Sequence, residues 1–230
     1  TVLRMKAGEP AVLCDGSRQD FLCRISSASK DFVELEVLES RPNEAEPQTE
    51  ICLYQCMPKS DKMEFIVQKA VECGASELTV FESERCIARI KEGNDAKKRE
   101  RWQRIVLEAA KQSGRGTVPT VHPTTDFTKA IHSAADADLA LFCYEGDGTR
   151  PLAEVLREQT ALQDFPKHPR ISIMIGSEGG FSLKEAERAR EAGWIPVGLG
   201  KRILRTETAA ITAVGMCMLY AEMNIDGENE

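Results

Sequence analysis

Two hydrophobic periods divide the chain. From Ala11 to Leu38 apolar residues come in short alternating runs: Ala11-Val12-Leu13-Cys14, then Asp20 to Ile25, then Asp31 to Leu38 with Phe32, Val33, Leu35 and Val37, with a turn at Asp15-Gly16. Alternation between turns predicts short β-strands. Glu39 to Glu50 carries Pro42 and Pro47 and reads as a polar loop, and Ile51 to Met57 returns to strand, so the first 58 residues predict a small β-barrel. After Pro58 the period lengthens: Met63, Ile66, Val67, Ala70 and Val71 share one helical face, with Gly74 just past its end. Leu78 to Phe81 predicts a strand, and Asp95 to Ser113 a helix facing inward through Trp102, Ile105, Val106, Ala109 and Ala110, with Gly114 as its stop. Val118 to Val121 and Asp138 to Tyr144 read as strands, Asp126 to Ala135 as a helix capped by its aspartate, and Leu152 to Glu158 as a helix. Such alternation predicts a parallel sheet covered by helices.

Near the C-terminus two apolar strands each run into a glycine turn that opens a helix. Ile171 to Ile175 leads into Gly176-Ser177-Glu178-Gly179-Gly180-Phe181, and Ser182 with Glu185 three residues on forms a capping box. Ile195-Pro196-Val197 leads into Gly198-Leu199-Gly200-Lys201-Arg202-Ile203-Leu204, then Arg205-Thr206-Glu207-Thr208 at the mouth of a closing helix. Ligands of open α/β sheets sit beyond the carboxyl ends of the strands, so two such turns make one pocket, with the loop after Tyr144 as its third wall. Glycine lets the main chain approach a ligand, and a helix N-terminus offers free amides. A phosphate cradle would carry lysine and a hydroxyl in the first turn, where Glu178 stands instead. The second turn has Ile203 in place of the third glycine of a dinucleotide fingerprint, and too little chain follows for the acidic ribose partner. What fits is a ligand with hydroxyls, a flat apolar ring and a positive charge. S-adenosylmethionine has all three.

Composition narrows the class. With 42% hydrophobic residues and no apolar run long enough to cross a membrane, the 230 residues suit one large or two small domains without a membrane partner. The eight cysteines form no CxxC pair and only three histidines accompany them, so no metal site is expected, and buried thiols in a reducing cytoplasm are. A net charge of -7 weighs against nucleic acid, but its distribution does not. Between Arg85 and Arg115 the bases Arg85, Arg89, Lys91, Lys97, Lys98, Arg99, Arg101, Arg104, Lys111 and Arg115 outnumber the acids, while Glu34 to Glu50 and Asp226 to Glu230 are acidic. On charge alone Lys97 to Arg104 reads as the solvated face of a helix.

Met174-Ile-Gly-Ser-Glu-Gly-Gly-Phe-Ser182 and Gly198-Leu-Gly-Lys-Arg-Ile-Leu-Arg-Thr-Glu-Thr-Ala209 resemble the RsmE-type 16S ribosomal RNA uridine N3-methyltransferases of the SPOUT superfamily, with Ser177 where that family usually has proline. Arg101-Trp102 and Glu108-Ala-Ala-Lys-Gln-Ser-Gly-Arg115 continue the resemblance upstream. It implies an α/β protein: a PUA-like RNA-binding β-barrel over residues 1–58, preceded by a further stretch before Thr1, and a SPOUT methyltransferase domain over residues 59–225 with a C-terminal trefoil knot. It also implies a cytoplasmic homodimer acting on small-subunit ribosomal RNA with S-adenosylmethionine and without a metal. The expected donor-binding residues are Ile175, Gly176, Glu178, Gly179, Gly180, Leu199, Gly200, Ile203, Leu204 and Thr208. Arg205 is expected to bind or polarise the uridine while Glu178 or Glu207 assists proton loss. Each carboxylate has a rival task, Glu207 satisfying the helix dipole and Glu178 orienting its turn. RNA contacts are expected from Arg4, Lys6 and Arg101, and from Gln112 and Arg115, which otherwise cap and solvate a helix end. With a degenerate donor pocket, the same chain would be a non-catalytic RNA-binding protein.

Overall fold

In the computed structural model the chain forms two compact units, one built from residues up to Glu46 together with Ala110–Val118, the other from Pro47–Ala109 together with the chain from Pro119 onward. The structure describes residues 5–90 and 93–226, the last three of these in main chain only; Arg4, Lys91 and residues 227–230 of the acidic tail lie outside the described residues.

The first unit holds an antiparallel sheet of β1 (Pro10–Cys14), β2 (Gln19–Ala28) and β3 (Val33–Pro42) in that order. β3 continues through Glu39 to Pro42, where a loop was expected, because Gln19 pairs with Pro42 and Asp20 with Arg41. Pro42 is tolerated at the end of an edge strand, where its missing amide breaks no ladder. Beneath the sheet Cys23 and Ile25 are buried. Asn43 fastens Ala110–Val118 to it, its Nδ2 donating to Asp20 at 2.8 Å and to the Gly114 carbonyl at 3.1 Å, and the Arg18 amide donates to the Gly116 carbonyl at 3.0 Å.

The second unit runs β4 (Glu50–Cys56), α1 (Lys62–Glu72), β5 (Ala75–Glu82), α2 (Asp95–Ser113), whose last turn belongs to the first unit, β6 (Thr120–Val121), β7 (Thr125–Asp126), α3 (Phe127–His132), β8 (Leu139–Cys143), β9 (Arg150–Pro151), α4 (Leu152–Thr160), β10 (Arg170–Ile175), α5 (Leu183–Glu191), β11 (Ile195–Gly198) and α6 (Thr206–Asp226). Its strands lie in the order β6-β5-β4-β10-β8-β11-β9, with β7 beside β5, and every pairing is parallel. The strand expected to return to the barrel, Ile51 to Met57, is the middle of this sheet instead. Ile51 through Cys56 are buried without alternation, which only a strand covered on both faces requires. The predicted face of α1 is buried, and Gly74 follows it at φ +99°. Asp126 caps α3 by accepting the Lys129 amide at 2.8 Å. α6 packs on α1, β4 and β10, burying Ala210, Ala213, Val214, Cys217 and Met218 while Met216, Leu219 and Met223 stay exposed. Among the described residues no helix is long and apolar enough to cross a membrane.

Candidate active site

β10, β8 and β11 are neighbours, so their carboxyl ends open side by side. Beyond them lies a cleft of about 810 Å³, walled by Gly176–Phe181, by Val197–Thr206 and by residues of the loop after β8, Tyr144, Glu145, Gly146 and Thr149. Each wall is braced from behind. Phe181 backs the first turn in an aromatic cluster, its ring centroid 4.4 Å from Phe142, 5.8 Å from Phe127 and 6.3 Å from Phe81. The Ser182 hydroxyl accepts the Glu185 amide at 3.3 Å and Glu185 accepts the Ser182 amide at 2.9 Å, completing the capping box that starts α5. The other Glu185 oxygen accepts the Glu84 amide at 2.8 Å, which ties the loop after β5 to the same turn. That loop lies so close that a Cβ on Gly179 would stand 2.8 Å from the Arg85 carbonyl oxygen.

Thr206 joins the two motifs. Its hydroxyl donates to the Gly176 carbonyl at 2.6 Å and accepts from Nε2 of Gln55, a fully buried side chain of β4, at 3.0 Å. Thr208, the threonine singled out from the sequence, is exposed and lies off the cleft wall. Because α6 starts at Thr206, position 208 is turned about 200° from it, at roughly 100° per residue. All the other expected donor residues, Ile175, Gly176, Glu178, Gly179, Gly180, Leu199, Gly200, Ile203 and Leu204, line the cleft. Among the described residues the amides of Ile203 and Leu204 carry no hydrogen bond within the protein, so the wall presents unused donors.

Arg205 and Glu178 also line the cleft, Arg205 exposed and without an ion-pair partner among the described residues. Glu207 does not face it directly but is joined to Glu178 through Lys62, whose Nζ stands 2.8 Å from Glu178 Oε1 and 3.2 Å from Glu207 Oε2. The Lys59 amide lies 3.3 Å from both Glu178 oxygens. Burial pushes the Glu178 carboxyl up, but the hydrogen bond from Lys62 and those from backbone amides outweigh it and hold it below the usual carboxylate range. The hydrogen bond to Glu178 and then the neighbouring Glu207 carboxylate raise the Lys62 ammonium. Lys62 and Gln55 escape a reading of local motifs, since they lie over a hundred positions upstream of their partners and nothing marks them there, whereas Thr206 stands inside the second motif, where spacing gives it no task. The one usable signal is that the two motif turns each carry a carboxylate, Glu178 and Glu207, which call for a cation between them.

The residues assigned to RNA separate. Lys6 is exposed, with its amide donating to Glu9 at 2.9 Å. Arg101 is exposed on α2 and pairs with Glu64 at 2.7 Å, and Gln112 is exposed. Arg115 corrects the expectation. Its Nε and Nη2 each reach a Glu46 oxygen at 2.8 Å, both side chains are at most 3% exposed, and Thr117 adds its amide and hydroxyl to the same carboxylate. A guanidinium so enclosed offers no face to a phosphate. Among the described residues no group of His, Cys, Asp or Glu side chains is placed to hold a metal ion.

Residues 44–218 match the RNA methyltransferase domain family, and residues 1–38 match the RNA methyltransferase PUA domain family. The chain is 33% identical over 222 residues to ribosomal RNA small subunit methyltransferase E of Bacillus subtilis, covering 96% of this chain and 86% of that protein. It belongs to the ribosomal RNA small subunit methyltransferase E family. A crystal structure of the Neisseria gonorrhoeae member bound to S-adenosyl methionine superposes with a TM-score of 0.79 at 33% identity, covering 94% of this chain and 84% of that one. The Mycobacterium bovis member is 29% identical across 94% of this chain and 80% of its own length. Across this family's matched span lie all three walls of the cleft.

Proposed function

We propose that the protein methylates N3 of a uridine in 16S ribosomal RNA with S-adenosylmethionine as donor. The observation that carries this reading is the single cleft made by the two family motifs, with apolar Leu199, Ile203 and Leu204 and unused main-chain donors along one wall. Its volume lies in the range of small-molecule pockets, about 300–1,000 Å³. Glu178 at the cleft opposes a polyphosphate and tolerates a cationic ligand. The bound donor supplies an electrophilic methyl group. The chain's own task is to hold the base in line and help its N3 proton leave, and positioning of this kind lowers a barrier by about 7–11 kcal/mol in favourable cases.

Arg205, exposed at the cleft and without an ion-pair partner among the described residues, meets a pyrimidine carbonyl oxygen and steadies the charge that develops there. Glu178 or Glu207 assists proton loss. The N-terminal β segment, a PUA-like barrel, docks RNA through Arg4 and Lys6, Arg101 and Gln112 of α2 add contacts, and the chain from about Pro47 onward, β4 included and Ala110–Val118 apart, forms the SPOUT catalytic domain. A trefoil knot is supported by the path of the C-terminal segment: from β11 it returns past β8 to bond Gly176 after β10 and Gln55 of β4, and α6 then packs on α1. The exposed Met216, Leu219 and Met223 stripe supports a homodimer through α6, and acidic substitutions along it are expected to give a monomer in sedimentation. The protein works in the cytoplasm, where its substrate is made.

Calorimetric titration with S-adenosylmethionine tests the reading first. One donor site per chain is expected, followed by a single methylated uridine when ribosomal RNA lacking the modification is supplied. A folded protein that ignores the donor would instead be an RNA-binding module with a degenerate pocket.

A further inference from the structure

Lys62 stands at the first position of α1, where no motif marks it, yet three elements meet at its ammonium. Glu178 belongs to the turn after β10, Glu207 to the first turn of α6, and Lys62 touches both, at 2.8 and 3.2 Å. We infer that Lys62 is a positioning residue for methyl transfer, an ionic tie that fixes the spacing between the donor turn and the segment carrying Arg205. The inference rests on the methyltransferase reading of the cleft.

Geometry supplies the argument. Glu178 is followed directly by Gly179 and Gly180 of the donor wall, and Glu207 stands two residues after Arg205. Holding both carboxylates on one cation therefore fixes the donor turn against the guanidinium that meets the base. The three side chains are only 18–26% exposed, so the tie is partly shielded from water, unlike a surface pair. Without the cation two carboxylates would face each other, and like charges at short range push the groups apart or force a proton onto one of them. The charged and polar groups facing Glu178 are Lys62 of α1, Glu207 of α6 and the Lys59 amide, and Arg85, Glu145, Lys201, Arg202 and Arg205 line the same cleft. Removing Lys62 leaves a second carboxylate uncompensated beside Glu178, so the Glu178 carboxyl takes up a proton at a higher pH than in the parent.

The test uses the full chain, an RNA fragment bearing the target uridine, and saturating S-adenosylmethionine in single-turnover assays across pH. Lys62→Met is expected to lower the rate by about tenfold or more, to move the acidic limb of the rate profile to higher pH, and to change donor affinity less than rate. Lys62→Arg is expected to restore most of the rate and return the limb. Should the methionine variant not fold, Lys62→Gln, which keeps a donor without the charge, takes the same measurements. A variant with unchanged rate and limb overturns the inference, as does a loss of rate with an unmoved limb that arginine fails to rescue. The parent protein is the control: if it methylates nothing, the methyltransferase reading fails, whereas an active parent indifferent to Lys62 sinks the ionic tie alone.

Discussion

Arg115 carries a charge that the sequence assigns to RNA and the fold commits to Glu46. A guanidinium and a carboxylate this deeply buried are stable only together, and removing one partner strands the other at a cost of about 3–5 kcal/mol. Arg115→Ala or Glu46→Ala is therefore expected to lower the denaturation midpoint sharply, while replacing both with apolar residues should cost less than either single change. Burial pushes the Glu46 carboxyl up, but the hydrogen bond and charge of Arg115, then Thr117, hold it below its ordinary value of 4.5. A folded-state pKa below the unfolded one contributes stability that is fully present above pH 4.5 and is lost as pH falls through the folded value. Acid titration followed by circular dichroism should show this loss in the parent and a shallower one in Glu46→Gln. Arg205 is the opposite case, exposed and with no ion-pair partner for its guanidinium among the described residues. Arg205→Ala should keep the melting curve and donor affinity and lose single-turnover rate; an unchanged rate would remove it from the chemistry.

The first glycine turn shows what periodicity can and cannot deliver. Adjacent glycines 179 and 180 look alike in the sequence, but Gly179 is pressed against the Arg85 carbonyl while Gly180 sits at φ +64° with open space beyond it. Gly179→Ala should weaken donor binding and stability together, since the turn and the loop after β5 must separate. At Gly180 alanine should cost about 1–2 kcal/mol for the left-handed backbone, and donor affinity should fall further as the side chain grows. A size series at both positions, read by calorimetry and melting, checks the contrast. The helices, the parallel sheet and the capping box were legible because each is written in local spacing. β4 was misplaced because an apolar run beside alternating strands looks like one more of them until its two parallel neighbours are known. Thr208 stands off the cleft wall while Thr206 lines it, because the start of a helix decides which hydroxyl faces the turn. Arg115 was misassigned because its partner lies 69 positions away in an acidic loop that reads as solvent-facing.

For the molecule as a whole, a net charge of -7 means that RNA must be met by local basic surface rather than by the overall field. The affinity of the protein for its RNA is expected to fall linearly in logarithmic terms as salt rises, and a flat response would exclude phosphate contacts. Thr206, finally, has a consequence in time. It meets Gln55 across 151 positions of chain and holds the Gly176 carbonyl across 30. A ribosome makes α6 long after β4, and contacts so distant in sequence are among the slowest to form. The cleft therefore gains its second wall only near the end of synthesis, and a chain truncated before Gly198 is expected to show no donor binding in calorimetry, however well its sheet has formed.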